Sequence, residues 1–285
     1  MPQLLSARLK QDTLLEVPGV YDGLTALLAE QAGCEAAFVS GAGLAFSRFG
    51  KPDMGLVSLS ELATCVSQMR EATELPLIVD LDTGFGNALN VQRSVALLER
   101  CGASALQIED QQMPKRCGHM AGKTVISANE MVGKLHAALD AREDPNTLIF
   151  ARTDALGVLG FDEAMARAER YVQAGVDGLF IEAPASGQQV GAIAREFAHR
   201  IPLIHNLVKG GNSPVDAMTL ADLGFAIALH PLQMLQQMIP AGIASLAAWG
   251  RNESLNWEEK QALDLQDINR IVATDSLLEI AKRYN

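Results

Sequence analysis

Eight short apolar runs recur along the chain at intervals of roughly 25–40 residues, and the segments between them carry helical periodicity. The runs are LLEVPGV, AAFVSG, LPLIVDLD, ALQIED, TLIFARTD, GLFIEAP, PLIHNL and FAIALHP. Runs that stay apolar, without polar alternation, suit parallel strands covered on both faces. Strand and helix alternating eight times predict an α/β fold, a closed (β/α)8 barrel of the TIM type. A doubly wound open sheet is the alternative. It is disfavoured because no GxGxxG follows the first run and no P-loop occurs anywhere.

The spacing predicts helices over Leu24–Ala32, Leu59–Ala72, Val91–Cys101, Met131–Ala141, Asp162–Ala174, Val190–Phe197, Val215–Leu223 and Leu232–Ala248. Ser58 with Glu61, and Ser127 with Glu130, have the spacing of capping boxes, and Gly175 is placed to stop the fifth helix. From about Arg251 the chain leaves the repeat and reads as terminal helices with two apolar faces. The expected organisation is one barrel domain over 1–285, with about 251–285 as a helical extension.

The net charge of −11 argues against nucleic acid and anionic membrane as partners, since both need a basic surface. A small anionic substrate remains compatible, because a local pocket can oppose the overall field. No window approaches the ~20 apolar residues of a membrane span, and MPQLLSARLKQDTLLEV lacks the apolar core of a signal peptide. Four cysteines without CxxC spacing point to a reduced, cytoplasmic protein. Cys34, Cys65 and Cys101 sit in or beside apolar helical patterns and read as core residues.

Barrel enzymes place their chemistry at the C-terminal ends of the strands. Those ends supply Tyr21 and Asp22, Ser40 and Gly41, Asp80 and Asp82, Glu109 and Asp110, Arg152 and Asp154, Glu182, Asn206 and His230. Asp80, Asp82, Glu109 and Glu182 crowd one rim with Arg152 as the obvious cation. Such a cluster repels itself unless a cation joins it or some members stay protonated. An oxygen-only set favours Mg²⁺, or Mn²⁺, over zinc. Ser40–Gly43 (SGAG) has small residues where backbone amides can meet a carboxylate.

The fourth run leads into QQMPKRCGHMAGK, where Cys117 stands among Lys115, Arg116 and His119. Positive neighbours favour the thiolate, which suits this thiol to proton transfer. Gly118 and Gly122 make the loop a candidate for closing over a substrate.

The combination VSGAG, Pro52–Asp53, VDLDTGFGN, IED, KRCGHMAGK and ARTDA resembles the isocitrate lyase/phosphoenolpyruvate mutase superfamily over about Val17 to Pro231. KRCGH resembles the lyase branch, which acts on isocitrate, 2-methylisocitrate and 2,3-dimethylmalate. The resemblance implies Mg²⁺ held directly by Asp82 and through water by Asp80 and Glu109. It implies a 2-oxo acid portion held by Ser40, Gly41, Ala42 and Arg152, with Asp53, Glu182 and Asn206 lining the pocket. Cys117 would be the proton donor. Subunits would form a homo-oligomer, a dimer of dimers, with the last barrel helix exchanged between pairs. The chain departs from the isocitrate lyases at HNLVKGGNSP, where they carry a serine-rich grip. Met120 stands where methylisocitrate lyases carry arginine, and Lys209 where relatives usually carry an acid.

The expected activity is therefore Mg²⁺-dependent carbon–carbon cleavage of a small 2-hydroxy di- or tricarboxylate to a 2-oxo acid and a second carboxylate. Tyr21 and Glu182 are the candidate bases, with His119 beside the thiol. Decarboxylation or hydrolysis of oxaloacetate on the same site is the alternative. A Schiff-base aldolase using Lys209 and a non-catalytic dicarboxylate-binding barrel are the more distant readings.

Overall fold

The structure is a computed structural model that describes residues 4–118, 120, 122–211, 213–250 and 262–284, the side chains of 248 and 250 excepted. After a short helix α1 (Leu5–Arg8) the elements are β1 (Leu15–Val20), α2 (Gly23–Gln31), β2 (Ala37–Val39), α3 (Gly41–Phe49), α4 (Leu59–Ala72), β3 (Leu77–Asp80) and α5 (Ala88–Arg100). There follow β4 (Ala105–Glu109), α6 (Ala128–Ala141), β5 (Leu148–Thr153), α7 (Leu156–Leu159), α8 (Phe161–Gln173), β6 (Gly178–Ile181) and α9 (Gly187–Phe197). The last are β7 (Leu203–Asn206), α10 (Ala217–Asp222), β8 (Ile227–His230), α11 (Gln233–Gly250), α12 (Leu265–Ile271) and α13 (Thr274–Ala281).

The eight strands are parallel and close in sequence order, β1 pairing with β8, so the barrel is the (β/α)8 fold that the repeat predicts. Its interior is filled by Leu15, Val17, Ala36, Phe38, Ile78, Leu148, Phe150, Phe180, Ile204, Ile227 and Leu229, with Leu5 of α1 packed among them. Helix starts follow local chemistry. Ser58 and Glu61 form the reciprocal box on α4, and Ser127 Oγ accepts from the Glu130 amide at α6. Gly175, at φ +89°, follows α8 in the left-handed region that favours glycine.

Helix α3 is not among the helices that the spacing predicts. Two glycines lower helix propensity, but Ser40 Oγ accepts from the Gly43 amide and caps the helix, and Gly50 at φ +58° ends it. The chain divides into two compact units, Met1–Gln233 and Met234–Asn285. The first holds the barrel. The second holds nearly all of α11, with α12 and α13; residues 251–261 lie outside the described residues.

Barrel closure depends on one absent side chain. A Cβ on Gly19 would lie 2.1 Å from the carbonyl oxygen of Pro231, a backbone atom that cannot swing aside. Gly19→Ala is expected to cost about 1–3 kcal/mol through forced backbone shifts, read as a lower urea midpoint. An unchanged midpoint would mean that β1 and the end of β8 separate there without cost.

Candidate active site

Side chains alternate along a strand, and up each inward row the chemistry changes from apolar to charged. Ile78 is followed by Asp80, Ala105 by Gln107 and Glu109, Phe150 by Arg152, Phe180 by Glu182 and Ile204 by Asn206. The apolar members close the barrel below, while the polar members gather at its C-terminal mouth. There Asp80, Glu109, Arg152, Glu182 and Asn206 line a cavity of about 40 Å³ together with Ser40, Ala42, Asp53, Lys115, Arg116, Cys117 and Gly118. That volume holds only about three waters.

The acids are held close. Asp82 adopts φ +48°, a left-handed conformation uncommon for a residue with a side chain, and its amide donates to Asp80 Oδ1 at 3.2 Å. A Cβ on Gly41 would sit 3.2 Å from Asp82 Oδ1 and 3.3 Å from Asp80 Oδ2. Gly41 therefore lets the start of α3 lie directly on both carboxylates.

The cation that these acids meet comes from the loop. Lys115 Nζ lies 2.7 Å from Asp82 Oδ1 and 2.5 Å from Asp53 Oδ1, with its side chain 3% exposed. Burial works against the ammonium, but Asp82, Glu109, Asp80 and Asp53 outweigh it and hold its pKa above the ordinary lysine value. Burial, opposed by Lys115 and reinforced by Asp80 and Asp53, pushes Asp82 up to about 7. Burial likewise raises Glu109, against the pull of Arg152.

Arg152 organises the other half. Its Nε and one terminal nitrogen clamp Asp154 at 2.9 and 3.0 Å, while Glu109 lies 3.4 Å and Glu182 3.5 Å away. Glu182 also accepts from Asn206 Nδ2 at 3.1 Å. Burial raises Asp154, but the charges of Arg152 and Lys123 overcome it and keep this carboxylate below its ordinary range. Cys117 is a half-buried thiol whose amide donates to the Asp53 carbonyl at 3.2 Å. Gly118 presses onto Arg152 and Glu182, where a Cβ would meet them at 2.4 and 2.8 Å.

Thus Asp53, Asp80, Asp82, Glu109, Cys117, Arg152, Glu182 and Asn206 come together, with Ser40, Gly41 and Ala42 at the start of α3. Other candidates do not join them. Asp110, one residue past Glu109, points outward and is held by Thr153 Oγ1, Arg167 and Tyr171 Oη. His230 turns to Glu16 at 2.9 Å. Tyr21 is buried but does not line the cavity, and burial and Asp22 raise its phenol above the ordinary value. Lys209 is exposed and outside the lining, which removes the structural basis for a Schiff-base role. His119 lies outside the described residues. Sequence reasoning missed Lys115 and Lys123 as ion-pair partners. The available signal was a pair of lysines in a glycine-bearing loop facing an excess of acids.

Among the described residues no three metal-ligating side chains are already gathered as a cation cage. The donor chemistry nevertheless fits one. Asp80, Asp82 and Glu109 offer only oxygen, and Glu109 Oε1 is buried with no hydrogen-bond partner. A divalent cation held by these three would offset the burial, and the repulsion that adds to it, which raise Asp82 and Glu109.

The profile of the family described as phosphoenolpyruvate phosphomutase matches residues 5–248. The chain is 44% identical over 241 residues to 2-methylisocitrate lyase of Aeropyrum pernix, covering 84% of this chain and 76% of that one. It is 34% identical to 2,3-dimethylmalate lyase of Eubacterium barkeri, covering 100% and 96%. Among solved structures, oxaloacetate acetylhydrolase with 3,3-difluorooxalacetate superposes at TM-score 0.93, with 29% identity and coverage of 99% and 96%. Phosphonopyruvate hydrolase in complex with oxalate and Mg²⁺ superposes at 0.88, with 27% identity and coverage of 99% and 98%.

Cation binding at Asp82 needs the carboxylate, so protons compete with it below the raised pKa. Apparent Mg²⁺ affinity, followed by calorimetry, should rise with pH through about 7 and level off above it, with proton release on binding. Affinity that is flat across that range would remove Asp82 from the cation's ligands.

Proposed function

The chain belongs to the phosphoenolpyruvate mutase/isocitrate lyase superfamily, and from that premise we propose a carbon–carbon lyase that cleaves a small 2-hydroxy di- or tricarboxylate. The observation that carries the reading is the meeting of Cys117 and Gly118 with Arg152 and Glu182 over the acids Asp80, Asp82 and Glu109. The substrate class is of the 2-methylisocitrate, 2,3-dimethylmalate or citramalate type, giving a 2-oxo acid and a second carboxylate.

Asp82 would hold Mg²⁺, or Mn²⁺, with Asp80 and Glu109 beside it. Bound there, the cation would stabilise negative charge on the substrate's hydroxyl-derived oxygen and adjacent carboxylate. The chain's own groups perform the rest. Ser40, Gly41 and Ala42 open α3, whose N-terminal amides suit a carboxylate. Arg152 supplies a fixed positive charge facing the cavity. Glu182, steadied by Asn206, accepts the hydroxyl proton. The oxygen's electron pair then forms the carbonyl of the 2-oxo acid as the C–C bond breaks. The bonding pair leaves in the departing carboxylate as an enediolate, and the Cys117 S–H proton passes to its carbon. The thiolate then regains a proton from solvent and Glu182 releases to solvent the one it took.

With Lys115, Cys117 and Gly118 seated on the mouth, the remaining cavity is too small for such a substrate, so entry requires the loop to lift. Closure then keeps water from the enediolate.

A homo-oligomer, a dimer of dimers with α11 exchanged, fits the second unit. Ile239, Ile243, Leu246 and Trp249 on α11 and Leu265, Leu277 and Leu278 beyond it are exposed apolar side chains. No helix among the described residues is long and apolar enough to cross a membrane. The thiol state of all four cysteines fits a cytoplasmic setting.

Cleavage of oxaloacetate by hydrolysis or decarboxylation is the second reading, favoured by the close superposition on oxaloacetate acetylhydrolase. Cys117 separates the two readings, because solvent can protonate the enolate of pyruvate after decarboxylation. Cys117→Ser is expected to lose ~10²–10⁴-fold in lyase turnover, the usual range for general acid–base catalysis, while still binding Mg²⁺ and pyruvate. The check is pyruvate release from 2-methylisocitrate, 2,3-dimethylmalate and citramalate, set beside loss of oxaloacetate. Undiminished C–C cleavage by Cys117→Ser would remove the thiol from the chemistry. Wild-type turnover of oxaloacetate alone would favour the second reading.

A further inference from the structure

Asp154 is buried with 0% exposure, and two cations from different parts of the chain share its carboxylate. Arg152 donates to both oxygens, at 2.9 and 3.0 Å. Lys123, from the far end of the loop, lies 2.9 Å from Oδ1, the same oxygen that the arginine's terminal nitrogen uses. Lys123 also donates to the carbonyl of Gly118, the residue after the thiol. One ammonium thereby joins the loop's inner turn to the barrel rim.

The rim side of this contact is rigid. The Asp154 amide donates to Asp110 Oδ1 at 2.8 Å, and Asp110 is held by Thr153 Oγ1 at 2.7 Å, Tyr171 Oη at 2.8 Å and Arg167 at 3.1 Å. Asp154 therefore keeps its place whether or not the loop is seated. The loop side is the part that must give way for a substrate to enter.

We infer that Asp154 is the receptor of a latch: Lys123 docks on it to seat Gly118 and Cys117 over the site, and the same contact frees Arg152 to act on the substrate. The second half follows from sharing one anion. A carboxylate that neutralises two cations offsets each less fully than it offsets one. With Lys123 docked, more of the Arg152 charge is left for Glu109, Glu182 and whatever anion lies in the cavity. With Lys123 withdrawn into water, Asp154 holds Arg152 alone. Seating the thiol and strengthening the arginine's field thus become one event. Lys123 and Asp154 are positioning residues in this scheme. The effect on turnover rests on the lyase reading above, but the seating of the loop does not.

The test uses the full-length protein and two readouts. In Lys123→Met, backbone hydrogen exchange over residues 115–118, measured without ligand, should speed up by about tenfold or more, as expected when a tethered segment opens locally. Turnover should fall by about 10²-fold, the size of effect that a small misplacement of a catalytic group produces, with the Mg²⁺ dissociation constant and the thermal midpoint near native. Lys123→Arg keeps the charge and should restore most of both effects. Lys123→Gln replaces the methionine variant if that one fails to fold. Native exchange at 115–118 in the uncharged variant overturns the latch, whatever happens to turnover. Faster exchange with native turnover overturns the link to Arg152. Faster exchange in a protein without lyase activity leaves the latch standing and removes the lyase.

Discussion

The structure turns on a surplus of buried negative charge. Asp53, Asp80, Asp82, Glu109, Asp154 and Glu182 are each less than a tenth exposed, and among the described residues Lys115, Lys123 and Arg152 pair with them. Taking a carboxylate out of water without a partner costs several kcal/mol, so such a set persists only with protons or cations to offset it. Asp82 and Glu109 show the first remedy, since both hold their protons to higher pH than a solvated acid does. A divalent cation is the second, and the two compete for the same oxygens. What looks costly for stability is the condition for the chemistry. Fixed charge in a dry site acts strongly on a developing enediolate because nothing needs to reorient when the bond breaks.

That surplus also explains why two of these balancing cations are carried by a loop. Arg152 belongs to β5 and stays with its clamp on Asp154. Lys115 and Lys123 reach the rim from opposite ends of the segment that carries Cys117. With the loop seated, two ammonium groups lie against the acids and the cavity measures about 40 Å³. Opening of the loop, as proposed above, would remove both together. In the proposed mechanism, attraction of the rim for these lysines draws the loop shut, and the thiol travels with it. In that mechanism the thiol reaches the reacting carbon in the closed state, where water is excluded. Electrostatics, motion and acid catalysis therefore share one element.

Much of this is legible in the chain. Continuous apolar runs ending in Asp, Glu, Arg or Asn mark both the strands and the mouth, because a parallel barrel buries its walls and works at its strand ends. The α4 helix, Leu59–Ala72, has the bounds its apolar period and Ser58–Glu61 box predict. Other features were beyond a one-dimensional pattern. Glu109 and Asp110 are neighbours with opposite fates, since strand alternation sends the first to the cavity and the second to Arg167 and Tyr171. Helix α3 hides behind two glycines whose purpose shows only in space, where Gly41 admits the carboxylates of Asp80 and Asp82. Asp53 and Asp154, partners of Lys115 and Lys123, lie 62 and 31 residues away in sequence, so the lysines are visible in the chain but the acids they meet are not.

The central claim is that the thiol on the loop delivers a proton to one face of a carbanion-like fragment inside a closed site. The most direct measurement is to run the cleavage in D2O and examine the carboxylic acid product by NMR. One solvent-derived deuterium, placed with a single stereochemistry at the carbon that was cleaved, is the result the account predicts. Deuterium scrambled between the two faces would mean that bulk water protonates a released fragment. That result would contradict both the closed loop and the role of Cys117.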